Sequence, residues 1–157
     1  MQRRTFAAGL AAVAMSGCAV EPQPQTTLIV LRHADRDTGA EDINAVGLTR
    51  ANALAAALAA YPIDEIRLPD RRRNIQSAAP LALQTGLTPI VTDLSDLDRT
   101  LWRAARGRTV VWIGNTTNLQ ALWVGLDAPG EPPLGYGEIA VLTGTSSGPT
   151  ARTDLVF

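Results

Sequence analysis

The sequence predicts an α/β protein, a three-layer α/β/α sandwich around a mostly parallel central sheet, and three observations predict it. Residues 27–31 and 109–113 form continuous apolar or β-branched runs rather than alternating ones, the pattern of strands covered on both faces. Between them, apolar residues recur at helical spacing, as at Leu48, Ala51, Leu54, Ala55 and Leu58. Strand-like and helix-like segments alternate along the chain, the order of a sheet joined by crossover helices.

Residues 1–17 stand apart from that pattern. Arg3 and Arg4 form a basic start, an Ala-rich apolar stretch follows over 6–15, and Ser16-Gly17 supplies small residues, which together describe a secretory signal. The apolar stretch is too short to span a bilayer. Met15-Ser16-Gly17-Cys18 resembles a bacterial lipobox, so Cys18, the only cysteine, is expected to be lipidated and to become the mature N-terminus. Arg3-Arg4-Thr5-Phe6 also resembles a twin-arginine signal. Residues 18–26 then read as anchor and Pro/Gln-rich tether, and residues 27–157 as one domain. The expected location is the periplasmic side of a bacterial cell envelope, held to a membrane through the lipid.

The first buried run ends abruptly in Arg32-His33-Ala34-Asp35. A strand here would deliver His33, the chain's one histidine, to the C-terminal rim where α/β sheets bind ligands. Residues 36–44 add Asp37, Glu41 and Asp42 to Asp35 and invite a calcium reading. It fails on register, because Gly39 falls at the fifth place of the loop instead of the sixth and a strand precedes it, so the segment reads as a solvated acidic loop. Residues 48–61 read as a crossover helix stopped by Pro62, 63–68 as a short strand, and Pro69-Asp70 as a turn. A second helix runs from Arg71-Arg72-Arg73 to about residue 84, before Gly86, with Arg71 and Arg72 read as solvated charges. Residues 88–92 read as a strand, 95–106 as a helix ended by Gly107, and 109–113 as the second buried strand, closing on Gly114-Asn115. Residues 144–148 read as a turn and 153–157 as a last edge strand.

Composition narrows the chemistry. Removing 17 of 157 residues leaves 140, enough for one domain with a substantial core. Loss of Arg3 and Arg4 takes 14 basic residues to 12 against 15 acidic ones, a net charge near −3, which argues against nucleic acid as the main partner. Every basic side chain is an arginine; with no lysine, Schiff-base catalysis and a Walker-type phosphate loop are excluded. A lipidated Cys18 leaves no thiol for a disulfide or a cysteine nucleophile.

What remains converges on one edge of the sheet. If the strands run parallel there, Arg32, His33, Arg73 and Asn115 come together. Two forked guanidiniums match phosphate oxygens, and nearby cations keep an imidazole unprotonated and able to attack phosphorus.

A family resemblance covers residues 27–143, its segments falling in the family's order along the chain. Arg32-His33 matches the signature strand end of the histidine phosphatase superfamily, the phosphoglycerate-mutase-like enzymes. Arg73-Asn74-Ile75-Gln76-Ser77-Ala78-Ala79-Pro80-Leu81-Ala82 matches the arginine helix after the family's second strand, and Gly47-Leu48-Thr49-Arg50-Ala51 resembles the segment between the two. Gly114-Asn115-Thr116-Thr117-Asn118-Leu119 resembles the family's second histidine segment with Asn115 in the place of that histidine, and residues 136–142 resemble its closing strand. The resemblance implies a phosphoglycerate-mutase-like fold, a phosphohistidine formed on His33, and phosphoryl oxygens held by Arg32, Arg73 and the residue at 115. It implies neither cofactor nor metal.

The chain departs from that pattern at two places. The second histidine is missing, and the general acid is not fixed, with Asp35, Asp93, Asp96 and Asp98 all open. Two functions follow: a membrane-tethered phosphatase of reduced efficiency acting on a phosphomonoester, or an inactive relative binding a phosphorylated or anionic ligand or a protein partner. A mutase is not expected from so short a chain.

Overall fold

In the computed structural model, residues 25–157 are described; the signal, Cys18 and nearly all of the tether lie outside them. Six strands and four helices follow one another as β1 (Thr26–Arg32), α1 (Ala45–Ala57), β2 (Glu65–Leu68), α2 (Arg72–Thr85), β3 (Ile90–Val91), α3 (Leu97–Ala104), β4 (Thr109–Gly114), α4 (Thr116–Leu126), β5 (Glu138–Thr145) and β6 (Gly148–Val156). The sheet order is β3-β2-β4-β1-β5-β6. The first four strands pair in parallel, and β5 and β6 add an antiparallel hairpin at one side.

The continuous apolar runs are β1 and β4, the two central strands. Their side chains alternate between two cores. Leu28, Val30, Val110 and Trp112 pack under α3 and α4, whereas Ile29, Leu31, Val111 and Ile113 pack under α1 and α2. Each fully buried aliphatic side chain contributes about 1.5–3 kcal/mol, so these two strands nail the three layers together.

Several element ends depart from the sequence reading. β1 starts at Thr26, one residue early. α1 begins at Ala45 because Asn44 caps it, its side chain accepting from the Gly47 amide at 2.9 Å. β3 is two residues long, since only Ile90 and Val91 find partners, in Arg67 and Leu68. α3 is shortened to Leu97–Ala104. The last strand is nine residues long, starting at Gly148. Its Pro-Thr-Ala-Arg-Thr-Asp stretch lies along an exposed edge and carries no apolar alternation to betray it.

Candidate active site

β1 and β4 are in parallel register with Arg32 opposite Gly114, so His33 and Asn115 occupy the next positions at the same sheet edge. The His33 amide donates to the Gly114 carbonyl at 3.0 Å. That carbonyl also accepts from Asn74 Nδ2 at 3.1 Å, and Asn74 Nδ2 reaches the Ile113 carbonyl at 2.8 Å. The following amide, Ala34, donates to Ser77 Oγ at 2.8 Å, and the Ser77 hydroxyl donates to the Arg73 carbonyl at 2.6 Å. Asn74 and Ser77 are both buried on α2. The helix that presents Arg73 therefore also clamps the backbone of His33.

The His33 ring is 2% exposed, and its Nδ1 lies 2.7 Å from the Ala34 carbonyl oxygen. A carbonyl can only accept, so Nδ1 carries the proton and Nε2 keeps its lone pair in the neutral ring. Burial is the main force lowering the pKa from 6.5 to about 4; the charges of Arg32, Arg73 and Arg36 act in the same direction, while the Ala34 hydrogen bond opposes them. The imidazole is neutral at physiological pH, with its Nε2 lone pair not taken up by the Ala34 bond.

Three arginines surround it. Arg32 donates from Nη1 to the Leu134 carbonyl at 3.0 Å and from Nη2 to the Tyr136 hydroxyl at 3.3 Å, with its guanidinium 4.2 Å from the Tyr136 ring centre. Arg36 Nη1 donates to the Ala40 carbonyl at 2.7 Å. The Nε of Arg32 and the Nε of Arg36 are both buried and without a hydrogen-bond partner among the described residues. Buried unpaired donors are costly, and a phosphoryl oxygen is an acceptor that suits them.

Arg73 donates from Nε to Asn115 Oδ1 at 3.2 Å and from Nη1 to both carboxylate oxygens of Glu41, at 3.1 and 3.0 Å. A guanidinium only donates, so the amide oxygen of Asn115 faces Arg73 and its two N–H bonds are left for another acceptor. Asn115 is the N-cap of α4, where its own amide donates to Asn118 Oδ1 at 2.8 Å. Gly114 is required just before it, because a β-carbon there would stand 2.5 Å from Asn118 Oδ1.

The four candidate acids have different fates. Asp35 is bound by Arg50 Nε at 2.5 Å, and Arg50 in turn donates to the Phe157 carbonyl at 3.0 Å, so Asp35 ties β1 to α1. Gly47 permits that approach, since a β-carbon would meet the Asp35 carbonyl oxygen at 2.1 Å. Asp93 accepts from the hydroxyl and the amide of Ser95, which hold its carboxyl below the ordinary carboxylate range. Asp96 and Asp98 instead line a cleft of about 530 Å³ whose wall includes Arg73 and Asn115.

The loop over 36–44 is exposed at Asp37 and Glu41, as a solvated acidic loop would be, and two of its acids are also paired. Glu41 holds Arg73, and Asp42 accepts from Arg72 at 2.8 Å and from Gln76 Nε2 at 2.8 Å, so the loop is strapped onto α2. Arg72 is thereby paired, whereas Arg71 donates only to the Asp70 carbonyl, at 3.1 Å. Arg36 and Tyr136 join the site without having been singled out in the sequence, and Glu41, weighed there only as a calcium ligand, joins it as the partner of Arg73. Asn74 and Ser77, small polar residues on the buried face of a helix, are a signal the sequence does contain.

Neither a protein-family model nor a curated protein matches this chain. Solved structures do. The protein histidine phosphatase SixA complexed with tungstate superposes with a TM-score of 0.66 at 17% identity, covering 83% of this chain and 96% of that one. A phosphoglycerate mutase from Bacillus anthracis str. Sterne gives 0.65 at 12% identity, over 86% and 93%. A mycobacterial glucosyl-3-phosphoglycerate phosphatase with inorganic phosphate gives 0.62 at 18% identity, over 84% and 96%. These neighbours are histidine phosphatase superfamily members, and at such identities the likeness establishes architecture: this chain has the phosphoglycerate-mutase-like fold.

Proposed function

We propose that this chain is a phosphatase that hydrolyses a phosphomonoester through a phosphohistidine at His33 Nε2, and that a lipidated Cys18 tethers it to a membrane. The carrying observation is the state of His33: buried, neutral, and with Nδ1 committed to the Ala34 carbonyl. The Nε2 lone pair attacks phosphorus, the bond to the leaving oxygen breaks, and water then cleaves the N–P bond to give orthophosphate. The unpaired Nε groups of Arg32 and Arg36, with Arg73 and the amide of Asn115, supply donors for the phosphoryl oxygens. The superposed neighbours that hold phosphate and tungstate support an anion as ligand.

Asn115 offers a hydrogen bond but no charge. Removing one transition-state donor costs about 10²–10³ in rate, so exchanging a charged donor for a neutral one is expected to slow the reaction by less than that. His33→Ala abolishes turnover of an aryl phosphate, an acid-labile phosphoryl label appears on wild type but not on His33→Ala, and Asn115→His raises turnover. A second reading, an inactive binder of an anionic ligand, is favoured by the ring's 2% exposure and by Glu41 on Arg73. Zero turnover in both wild type and a folded Asn115→His variant, with vanadate still bound, would select it.

A further inference from the structure

The cleft beside Asn115 shares Arg73 with the cluster around His33, yet part of its lining is apolar. Its floor is Leu97 and Leu122, both buried, and its sides include Leu94 and Ala121. Leu94 is 51% exposed at the mouth, and the same residue, with Arg71 and Asn115, borders a second cleft of about 500 Å³ that includes Val91, itself exposed. Apolar surface thus continues outward from the two residues, Arg73 and Asn115, that border the phosphoryl position. A bulky apolar group on the ester oxygen suits a cleft so lined.

We infer that the substrate is an aryl phosphomonoester whose ring lies in the cleft between α3 and α4, against Leu94, Leu97, Ala121 and Leu122. This rests on the phosphatase reading above. The N–P bond forms from the Nε2 lone pair as the P–O(aryl) bond breaks. The phenolate leaves with that electron pair and takes its proton from solvent, and water later hydrolyses the N–P bond. A free phenolic phosphate and a phosphotyrosyl side chain present the same ring.

The test measures binding of two non-hydrolysable probes, 1-naphthylmethylphosphonate and methylphosphonate, to the full chain by calorimetry. The ring-bearing probe is expected to bind tenfold or more tightly. Leu94→Asp is expected to reduce that ratio severalfold, while Leu83→Asp, at a position 87% exposed on α2, leaves it unchanged. Equal affinities for the two probes overturn the inference and leave the phosphoryl site standing; failure of both probes to bind overturns the phosphatase reading and the inference with it. Where the ratio holds, relative turnover of 1-naphthyl phosphate and a phosphotyrosyl peptide identifies which source of ring the cleft takes.

Discussion

His33 is the only histidine in the chain, so its ring titrates as a single imidazole resonance needing no assignment. Burial, helped by three arginines, takes its pKa from 6.5 to about 4. In the unfolded chain the same ring protonates near 6.5. As the pH falls between those values the unfolded state takes up a proton that the folded state refuses, so stability is lost. At about 1.4 kcal/mol per pH unit, the loss between pH 6.5 and 4 amounts to about 3 kcal/mol. Above 6.5 the contribution is constant, because neither state is protonated. Urea titrations at pH 7 and pH 4.5 measure the effect, and the same pair on His33→Gln subtracts what carboxylates add in that window. The wild type is expected to lose about 2–3 kcal/mol more than the variant. An imidazole resonance titrating near 6.5, or equal losses in the two proteins, would refute the account of a buried neutral nucleophile.

Glu41 occupies Arg73 where a phosphoryl group would compete for it, and Glu41 is 59% exposed, so the pair is worth about 0.5–1 kcal/mol. Glu41→Gln is therefore expected to tighten vanadate binding about two- to fivefold by calorimetry, and weaker binding would contradict the competition. Asn74→Ala leaves the Ile113 carbonyl unpaired and the Gly114 carbonyl with one partner fewer in a fully buried place; a loss of about 2–4 kcal/mol in urea unfolding is expected, and one below about 1 kcal/mol would deny it the clamping role. Radiolabelled palmitate is expected to enter the wild type but not Cys18→Ala, and equal labelling of the two would refute lipidation there.

The buried framework was legible because β1 and β4 have to be apolar on both faces, as the run over residues 139–142 in β5 also is. Its edges were not. β3 and β6 are defined by pairing rather than by composition, and Asn44 sets a helix start through a side-chain hydrogen bond that apolar spacing does not report. At the site, Arg32 and His33 stand out at the end of a buried strand, whereas Arg73 and Asn115 were named through the family resemblance of their segments. Tyr136 lies before β5, 104 residues from Arg32, and only the folded chain brings its hydroxyl to that guanidinium. The acidic loop is exposed as read, but its pairing with Arg72 and Arg73 was not legible, because it exists only once the helix carrying those arginines is packed beside it.

Asn115 is better understood through Arg36 than through the histidine that the resembling family has there. A protonated imidazole at 115 would stand against Arg73 within a cluster that also holds Arg32 and Arg36, and those charges would drive off its proton. An amide accepts from Arg73 and still donates, at no electrostatic cost, while Arg36 brings a permanent charge whose Nε has no other partner among the described residues. The positive charge thus resides on the loop following β1 instead of on α4. This makes the effects of the two positions interdependent. Arg36→Gln is expected to lower kcat/KM by about 10²-fold, the loss typical of one charged transition-state donor. Asn115→His is expected to restore about tenfold in that background and to gain no more than a fewfold with Arg36 present, a coupling of about 0.5–1 kcal/mol in a double-mutant cycle. Equal gains in both backgrounds would mean that Arg36 does not share the phosphoryl charge with position 115.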